Sequence, residues 1–200
     1  MRILLLGATG RTGRIVLEEA LRRGYDVTCL VRFPQKIKTT NARMQVLKGS
    51  PQLTEDLQTA LKGCDAVINV LNISRHSDFP WSSLGAPMDL LSDVASKLIP
   101  LAASHSVKRI IVCSAWGVAE TKNDIPRWFA WFIDNSNIGA AYRDHERQEA
   151  LLRSSGLPWT IVRPSGLRNS KRSQKIVESF DNVPRPRLTI SRLSLCKISC

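Results

Sequence analysis

Three glycines near the start of the chain have the spacing of a phosphate-binding turn. They lie in the segment Gly7-Ala8-Thr9-Gly10-Arg11-Thr12-Gly13, between a short apolar run and an amphipathic stretch. Gly7 permits a tight turn out of a strand, Gly10 lets the backbone approach a pyrophosphate, and Gly13 lets the following helix pack against the strand. Backbone N–H groups at the N-terminus of that helix would then face the phosphates, helped by the helix dipole. The segment predicts a dinucleotide-binding loop, and a tight turn without a ligand is the alternative.

The residue that ends the next apolar run distinguishes between the two nicotinamide cofactors. An acid at this point bonds the ribose 2′-hydroxyl of NAD, whereas a cation accommodates the 2′-phosphate of NADP. Here the run ends Leu30-Val31-Arg32, and no acid occurs before Lys36. The planar guanidinium of Arg32 can contact a phosphate through two N–H groups, and Arg11 is a second candidate. We therefore predict NADP, as NADPH, with a solvated strand end as the alternative role of Arg32.

Three further side chains are candidates for catalysis. Ser114 ends a predicted strand, where its hydroxyl could bond a nicotinamide or a substrate carbonyl, or have no role. His145 has an unperturbed pKa of ~6.5 that suits proton donation, and an exposed helical histidine is the alternative. Tyr142 lies one turn earlier and could line a pocket without acting as an acid.

The cysteine and histidine content gives no sign of a metal site. The five cysteines are an odd number without a Cys-x-x-Cys pair, and the three histidines are scattered. We expect reduced thiols and no bound metal.

The segment Pro126–Phe132 concentrates four of the twelve aromatic residues within five positions. It could form a lid that stacks on a planar ligand such as a flavin or a tetrapyrrole. Core packing and a partner-binding patch are the alternatives, and Trp116 belongs to the same question.

Strand-length apolar runs alternate with helix-length stretches, which predicts a Rossmann-like, doubly wound parallel α/β sheet with helices on both faces. The predicted strands are Ile3–Leu6, Val27–Val31, Met44–Leu47, Ala66–Leu71, Arg109–Cys113 and Trp159–Val162. The predicted helices are Thr12–Arg23, Thr54–Leu61 with Thr54 as its N-cap, Met88–His105 with a kink or break at Pro100, and Gly139–Ser154. We assign residues 1–167 to an NAD(P)-binding domain and residues 168–200 to a basic, partly irregular extension of the same domain.

The net charge of +12 is concentrated at the end of the chain. Residues 163–200 hold nine Lys or Arg and two Asp or Glu, a net charge of +7. Only Phe180 is aromatic there, so we expect a solvated basic surface rather than a nucleic-acid site. No apolar run approaches the ~18 residues of a membrane-spanning helix, and we expect a cytoplasmic protein.

With these residues in hand, the chain resembles the atypical short-chain dehydrogenase/reductase superfamily. The resemblance is to its NmrA-like, NAD(P)H-binding branch and, within that branch, to the flavin reductase and biliverdin reductase B type. The matching segments are residues 7–13, 27–32, 63–68, 107–115, 144–145 and 155–164. The resemblance implies a cofactor site along the carboxyl edge of the strands. Its residues would be Gly7, Thr9, Gly10, Arg11, Thr12, Gly13, Arg32, Val70, Leu71, Asn72, Ser114 and Pro164.

Three departures from the family pattern affect the expected chemistry. Dehydrogenases of the superfamily use a Tyr-x-x-x-Lys pair, but Glu146 stands four residues after Tyr142, and a carboxylate raises a phenol pKa. Gly49-Ser50 replaces the Gly-Asp that the family commonly has near the adenine. Only eight residues follow Arg192, where the family has a closing helix, so we expect a truncated or altered C-terminus. Residues after Arg192 should then contribute little to the fold and leave an apolar groove through which the protein could self-associate.

Two classes of function follow from these observations. The first is an NADPH-dependent reductase that transfers hydride to a planar, conjugated small-molecule acceptor of flavin, tetrapyrrole or quinone type. Such acceptors take hydride readily, so a shaped pocket could suffice without the Tyr/Lys pair. The second is a non-catalytic NAD(P)-binding redox sensor, or an assembly or regulatory protein of the NmrA-like kind. The missing lysine favours the second class, whereas Ser114, His145 and the aromatic segment favour the first.

Overall fold

Six parallel strands form the central sheet of a computed structural model, which describes residues 1–170, 176–180 and 182–196. The strands are β1 (Arg2–Leu6), β2 (Asp26–Val31), β3 (Met44–Lys48), β4 (Ala66–Asn69), β5 (Arg109–Cys113) and β6 (Trp159–Val162). Their order across the sheet is β3-β2-β1-β4-β5-β6, and every neighbouring pair is parallel. The direction of winding reverses between β1 and β4, which makes the carboxyl ends of these strands a topological switch point. The predicted doubly wound α/β fold is confirmed.

Helices cover both faces of this sheet. They are α1 (Arg11–Arg22), α2 (Thr54–Leu61), α3 (Leu90–Ser104) and α5 (Ile138–Arg153), whereas α4 (Arg127–Asp134) packs on α5. Alternate residues of β1 point to opposite faces, so Leu4 and Leu6 pack with α2, α3 and α5. Ile3 and Leu5 pack on the other face with α1. Burial on both faces explains why β1 is a continuous apolar run rather than an alternating one.

Two details of the helices differ from the sequence prediction. Thr54 is the first residue of α2 rather than its cap, and Leu53 precedes it without a side-chain hydrogen bond. Pro100 lies inside α3, which continues to Ser104 as one helix. Buried residues on both sides of the proline, among them Leu98 and Ala102, hold the two parts against the same core. This packing outweighs the one backbone hydrogen bond that a proline removes.

The last described residues of the C-terminal segment pack beneath α1, contrary to the expectation from the sequence. The segment forms a parallel pair, β7 (Gly166–Arg168) and β8 (Thr189–Ser191), followed by a short helix α6 (Arg192–Leu195). The Ser191 hydroxyl caps this helix by accepting a hydrogen bond from the Ser194 N–H at 3.1 Å. The cap directs Leu195 and Cys196 inward, where they are 2% and 1% exposed, and Cys196 joins the core beneath α1.

The prediction that residues after Arg192 contribute little is therefore wrong for residues 193–196, and residues 197–200 lie outside the described part. On the same face of the sheet, Ile111 and Val162 are only half-buried. Self-association through an apolar groove that the C-terminal segment leaves uncovered stays a prediction.

No helix in the described residues is long and apolar enough to span a bilayer. Within the same residues, no three His, Cys, Asp or Glu side chains cluster as metal ligands. The cytoplasmic location and the boundary at residue 167 stay predictions.

Candidate functional site

A groove of about 800 Å³ opens at the switch point of the sheet. It is lined by the segments that follow β1, β4, β5 and β6, and by α5, because the carboxyl ends of parallel strands meet at one edge. The predicted site residues that line it are Gly7, Thr9, Gly10, Arg11, Thr12, Arg32, Val70, Leu71, Asn72, Ser114, Tyr142, His145 and Pro164. Gly13 is buried below the turn instead. The volume lies within the range of ~300–1,000 Å³ that small-molecule and cofactor sites occupy.

The glycine loop joins β1 to α1 in a conformation that side chains would obstruct. Gly7 has a φ of +90°, and a Cβ there would lie 3.0 Å from the carbonyl group of Val70. A Cβ on Gly13 would lie 2.0 Å from the Gly7 carbonyl oxygen, so only glycine allows α1 to begin so close to the turn. The first amide groups of a helix have no partner within it, and here they face the groove. The loop can therefore hold a phosphate by backbone N–H groups and the helix dipole.

Two cationic side chains stand near this loop. Arg32 is exposed at the end of β2 and lines the groove. Arg11 also lines it and forms a two-bond ion pair with Asp78, at 2.8 and 3.1 Å. The Arg11 guanidinium lowers the pKa of the Asp78 carboxyl. The Arg11 and Asp78 side chains are 58% and 80% exposed, so this pair contributes little to stability and can exchange for another anion.

Ser114 lies at the middle of the groove, directly after β5. Its N–H donates to the Val162 carbonyl at 2.8 Å, which extends the pairing of β5 with β6 and fixes the serine backbone. The side chain is 5% exposed, and its Oγ has no hydrogen-bond partner among the described residues. A buried hydroxyl without a partner is costly, and a ligand atom in the groove would satisfy it.

His145 lies on the groove-facing side of α5 and is 3% exposed, which excludes the alternative of an exposed helical histidine. Burial lowers its pKa from 6.5 to about 4, so the ring is neutral at neutral pH. The side chain of Gln148, buried on the same helix, acts against this shift of the pKa, but the Nδ1 atom of His145 makes no hydrogen bond of ordinary geometry in the described part of the chain. His145 can therefore exchange a hydrogen bond with a ligand, but it is not the imidazolium acid that its unperturbed pKa indicates.

Tyr142 is held against the loop that follows β5. Its hydroxyl donates a long hydrogen bond of 3.4 Å to the Trp116 carbonyl. Burial raises its pKa to about 12, so the phenol stays protonated in the neutral range. Tyr142 lines the groove without the properties of a general acid or base.

Buried charged groups fix the helix that carries these two side chains. Asp144 is fully buried on α5 and accepts hydrogen bonds from the first turn of α3, with the Leu91 N–H at 2.6 Å. Glu149, 1% exposed, is bound by two nitrogens of Arg163, which directly precedes Pro164 in the groove. These contacts attach α5 to α3 on one side and to the end of β6 on the other.

The aromatic segment contributes less to the groove than a full lid would. Phe129 lines the groove, whereas Trp128 and Trp131 are 64% and 63% exposed on the outer side of α4. Trp116 is buried in a small separate cluster with Ile125 and Ile133.

Sequence reasoning did not single out three charged residues that line the groove: Arg75, Asp78 and Arg192. Arg75 and Asp78 belong to the loop after β4, and Arg192 begins α6. Their position in the chain, after a strand or at a helix start near the carboxyl edge, was the available signal.

Comparison with known proteins agrees with the geometry of the groove. A family model described as NAD(P)H-binding matches residues 7–198. The chain belongs to the NAD(P)H-binding family. The uncharacterized sugar epimerase YhfK of Bacillus subtilis is 30% identical over 175 residues, which are 84% of this chain and 73% of that protein. Photosystem II assembly factor Ycf39 of Trieres chinensis is 29% identical over 191 residues, 92% of this chain, which spans 51% of that longer protein.

Two solved structures have the same fold. A short-chain dehydrogenase/reductase from Veillonella parvula in complex with NADP gives a TM-score of 0.76 at 20% identity, covering 98% of this chain and 84% of that one. ChuY, an anaerobillin reductase from Escherichia coli O157:H7, gives a TM-score of 0.76 at 20% identity. The match covers 99% of this chain and 88% of that one.

The residues of this groove fit the family's cofactor. The bare glycine loop and the N-terminus of α1 suit a pyrophosphate, and the exposed Arg32, which lines the same groove, carries a charge that suits a further anionic group. The unpartnered Ser114 hydroxyl suits the other end of the molecule.

Proposed function

We propose that the protein is an NADPH-dependent reductase that transfers hydride to a planar, conjugated acceptor of flavin, tetrapyrrole or quinone type. One observation carries the proposal: a dinucleotide loop shares a groove with the buried side chains of Ser114, whose hydroxyl has no hydrogen-bond partner among the described residues, and of neutral His145. Bound NADPH would supply the hydride, and the acceptor would take up one proton besides it. Ser114 and His145 would hydrogen-bond the acceptor atoms that gain electron density.

The class of acceptor follows from the acids that this site lacks. Tyr142 has a pKa raised to about 12, and Glu146 stands where the superfamily's dehydrogenases have lysine. Reduction of a simple ketone needs a general acid at the carbonyl oxygen, with a pKa near the working pH. A conjugated acceptor spreads the incoming charge over its ring system and can take its proton from water. The groove supports this class, since Phe129 lines it and offers a ring for stacking on a planar acceptor.

The preference for NADPH over NADH rests on Arg32. A charge-assisted contact with the 2′-phosphate stabilises the complex by about 1.5–3 kcal/mol. We predict that Arg32→Ala removes most of the difference between the dissociation constants of NADPH and NADH, measured by fluorescence titration. The matched control is Arg14→Ala on the exposed side of α1, outside the groove. Equal dissociation constants in the unmutated protein would contradict the preference.

A non-catalytic role is the second candidate function. The absent lysine favours it, and Trp128 and Trp131 give the protein an exposed apolar surface beside the groove. The similarity to an assembly factor agrees with this candidate. In this case the bound cofactor would regulate contacts with a partner rather than transfer hydride.

NADPH oxidation by the purified protein tests the two candidates. The acceptors are a flavin, a linear tetrapyrrole and a quinone, each with and without protein. We expect acceptor-dependent oxidation that falls at least about tenfold in kcat for Ser114→Ala, because a hydrogen bond made in the transition state is lost. Cys113→Ala is the control at the neighbouring position. NADPH binding without oxidation for any acceptor would refute the reductase and favour the second candidate.

A further inference from the structure

Arginine dominates the charged lining of the groove. The described lining residues include four arginines but a single carboxylate, that of Asp78. The arginines are Arg11, Arg32, Arg75 and Arg192. Both oxygens of Asp78 are bound by the Arg11 guanidinium. The other three guanidinium groups therefore have no carboxylate partner within the described lining of the groove.

Arg75 and Arg192 are distinguished from Arg32 by partial burial. The Nε atoms of both are buried and have no hydrogen-bond partner in the described part of the chain. Arg192 donates from Nη1 to the Asn169 side-chain oxygen at 2.7 Å, which holds the guanidinium across the groove. Burial, followed by the nearby charge of Arg11, lowers the pKa of Arg192. Buried N–H donors normally have a hydrogen-bond partner, so each of these two Nε atoms is available to an acceptor atom of a ligand, and the positive charge of the guanidinium favours an anionic one.

The position of the two side chains is set by ordered backbone. Arg75 pairs with Leu84 in an antiparallel bridge, and the Gly85 N–H donates to the Ser74 carbonyl at 2.8 Å. Arg192 follows the buried residue Ser191 at the start of α6. Both guanidinium groups act electrostatically on Asp78, and Arg192 acts also on the thiol of Cys113, next to Ser114. Both side chains line the same groove as the glycine loop and Ser114, and Asn169, which binds Arg192, lines it as well.

We propose that Arg75 and Arg192 form a subsite for an anionic substituent, a phosphate or a carboxylate, on the acceptor. This inference rests on the proposed function and specifies its substrate as a conjugated acceptor that carries a negative charge. The planar guanidinium forks provide several N–H donors to such a group. The same chemistry could come from the phosphates of the cofactor, so the experiment must separate the two sources.

A comparison of FMN with riboflavin separates an anionic group on the acceptor from the phosphates of the cofactor. The two flavins share one ring system and differ by a phosphate. Each flavin is titrated into the protein at saturating NADP⁺, so that the phosphate sites of the cofactor are filled, and binding is followed by flavin fluorescence. We expect FMN to bind at least about tenfold more tightly than riboflavin, as a charge-assisted hydrogen bond implies. Arg75→Gln and Arg192→Gln should each reduce this ratio towards one. The charge-matched control Arg14→Gln should keep it, and unfolding curves show whether each variant is folded.

Two results would overturn the subsite. One is the absence of an FMN preference in the unmutated protein, including the absence of FMN binding. The other is a loss of NADPH affinity in the arginine variants that equals the loss of FMN affinity, which would assign both side chains to the cofactor. Because the titration is an equilibrium measurement, it reads the subsite even if no acceptor is reduced. Failure of NADPH oxidation would refute the reductase alone.

Discussion

Burial of neutral His145 should make the stability of this protein depend on pH in a window where few other groups titrate. Burial lowers the pKa of this side chain from 6.5 to about 4. Between these values the unfolded chain binds a proton that the folded protein excludes, so the free energy of unfolding falls as pH falls. The full effect is about 3 kcal/mol, of which about 2 kcal/mol is lost between pH 7.5 and pH 5. This is a large share of the ~5–15 kcal/mol that stabilises a typical domain.

Carboxylates act in the same direction but at lower pH. Glu19 and Glu120, for example, have pKa values lowered from 4.5 to about 2, by hydrogen bonds from Arg22 and Arg163 respectively. Their contribution is present above 4.5 and is lost as pH falls towards 2. Measurements between pH 7.5 and 5 therefore report mainly on the histidine.

Urea denaturation, followed by tryptophan fluorescence at several pH values in this window, measures the effect. The variant His145→Gln keeps a polar side chain that does not titrate, so its free energy of unfolding should be nearly constant between pH 7.5 and 5. His76→Gln is the matched control at an exposed position, and it should retain the slope of the unmutated protein. An unchanged slope in His145→Gln would refute the reasoning, because the pH dependence would then arise elsewhere.

Two further predictions concern Tyr142 and the C-terminal segment. Tyr142→Phe should keep any reductase turnover within about tenfold of the unmutated protein, because a phenol with a pKa raised to about 12 is a poor acid at neutral pH. A thousandfold loss of turnover with intact cofactor binding would contradict this. Leu195→Ala should lower the free energy of unfolding by about 2–4 kcal/mol in urea denaturation, since its side chain is 2% exposed in the core. Leu188→Ala, at a 51% exposed position, is the control for this prediction. An equal loss of unfolding free energy in Leu188→Ala and Leu195→Ala would overturn it.

The centre of the sheet could be predicted from the sequence because β1, β2 and β4 are short, mostly apolar runs that the structure buries, whereas the edge strand β3 (Met44–Lys48) is more polar and only partly buried. The bounds of β5 and β6 agree with the prediction, and β4 ends two residues earlier than predicted, at Asn69. Strand composition was informative here because parallel strands are buried on both faces. Placement of the candidate site then followed from topology, since the glycine loop locates one end of a groove to which residues after β2, β4, β5 and β6 also contribute.

Side-chain burial on α5 could not be predicted in the same way. Its sequence is strongly charged, which indicates an exposed helix, yet Asp144, His145, Gln148 and Glu149 are all buried. The partners that permit this burial are remote in sequence: the start of α3 for Asp144, and Arg163 for Glu149. A helical pattern read from one segment carries no information about a charge that another segment neutralises.

The buried charges of α5 also connect the stability of the fold to the chemistry of the groove. Asp144 and Glu149 occupy buried positions that apolar side chains would fill at lower electrostatic cost. Asp144 joins α5 to the first turn of α3, and Glu149 joins it to Arg163 after β6, so directional hydrogen bonds define the position of α5 on two sides. His145 lies between them in sequence, with Ser114 facing the same groove. A reductase without a strong acid depends on how closely its acceptor is oriented against the hydride. Rigid placement of these two side chains is therefore the contribution that the scaffold makes to the proposed reaction.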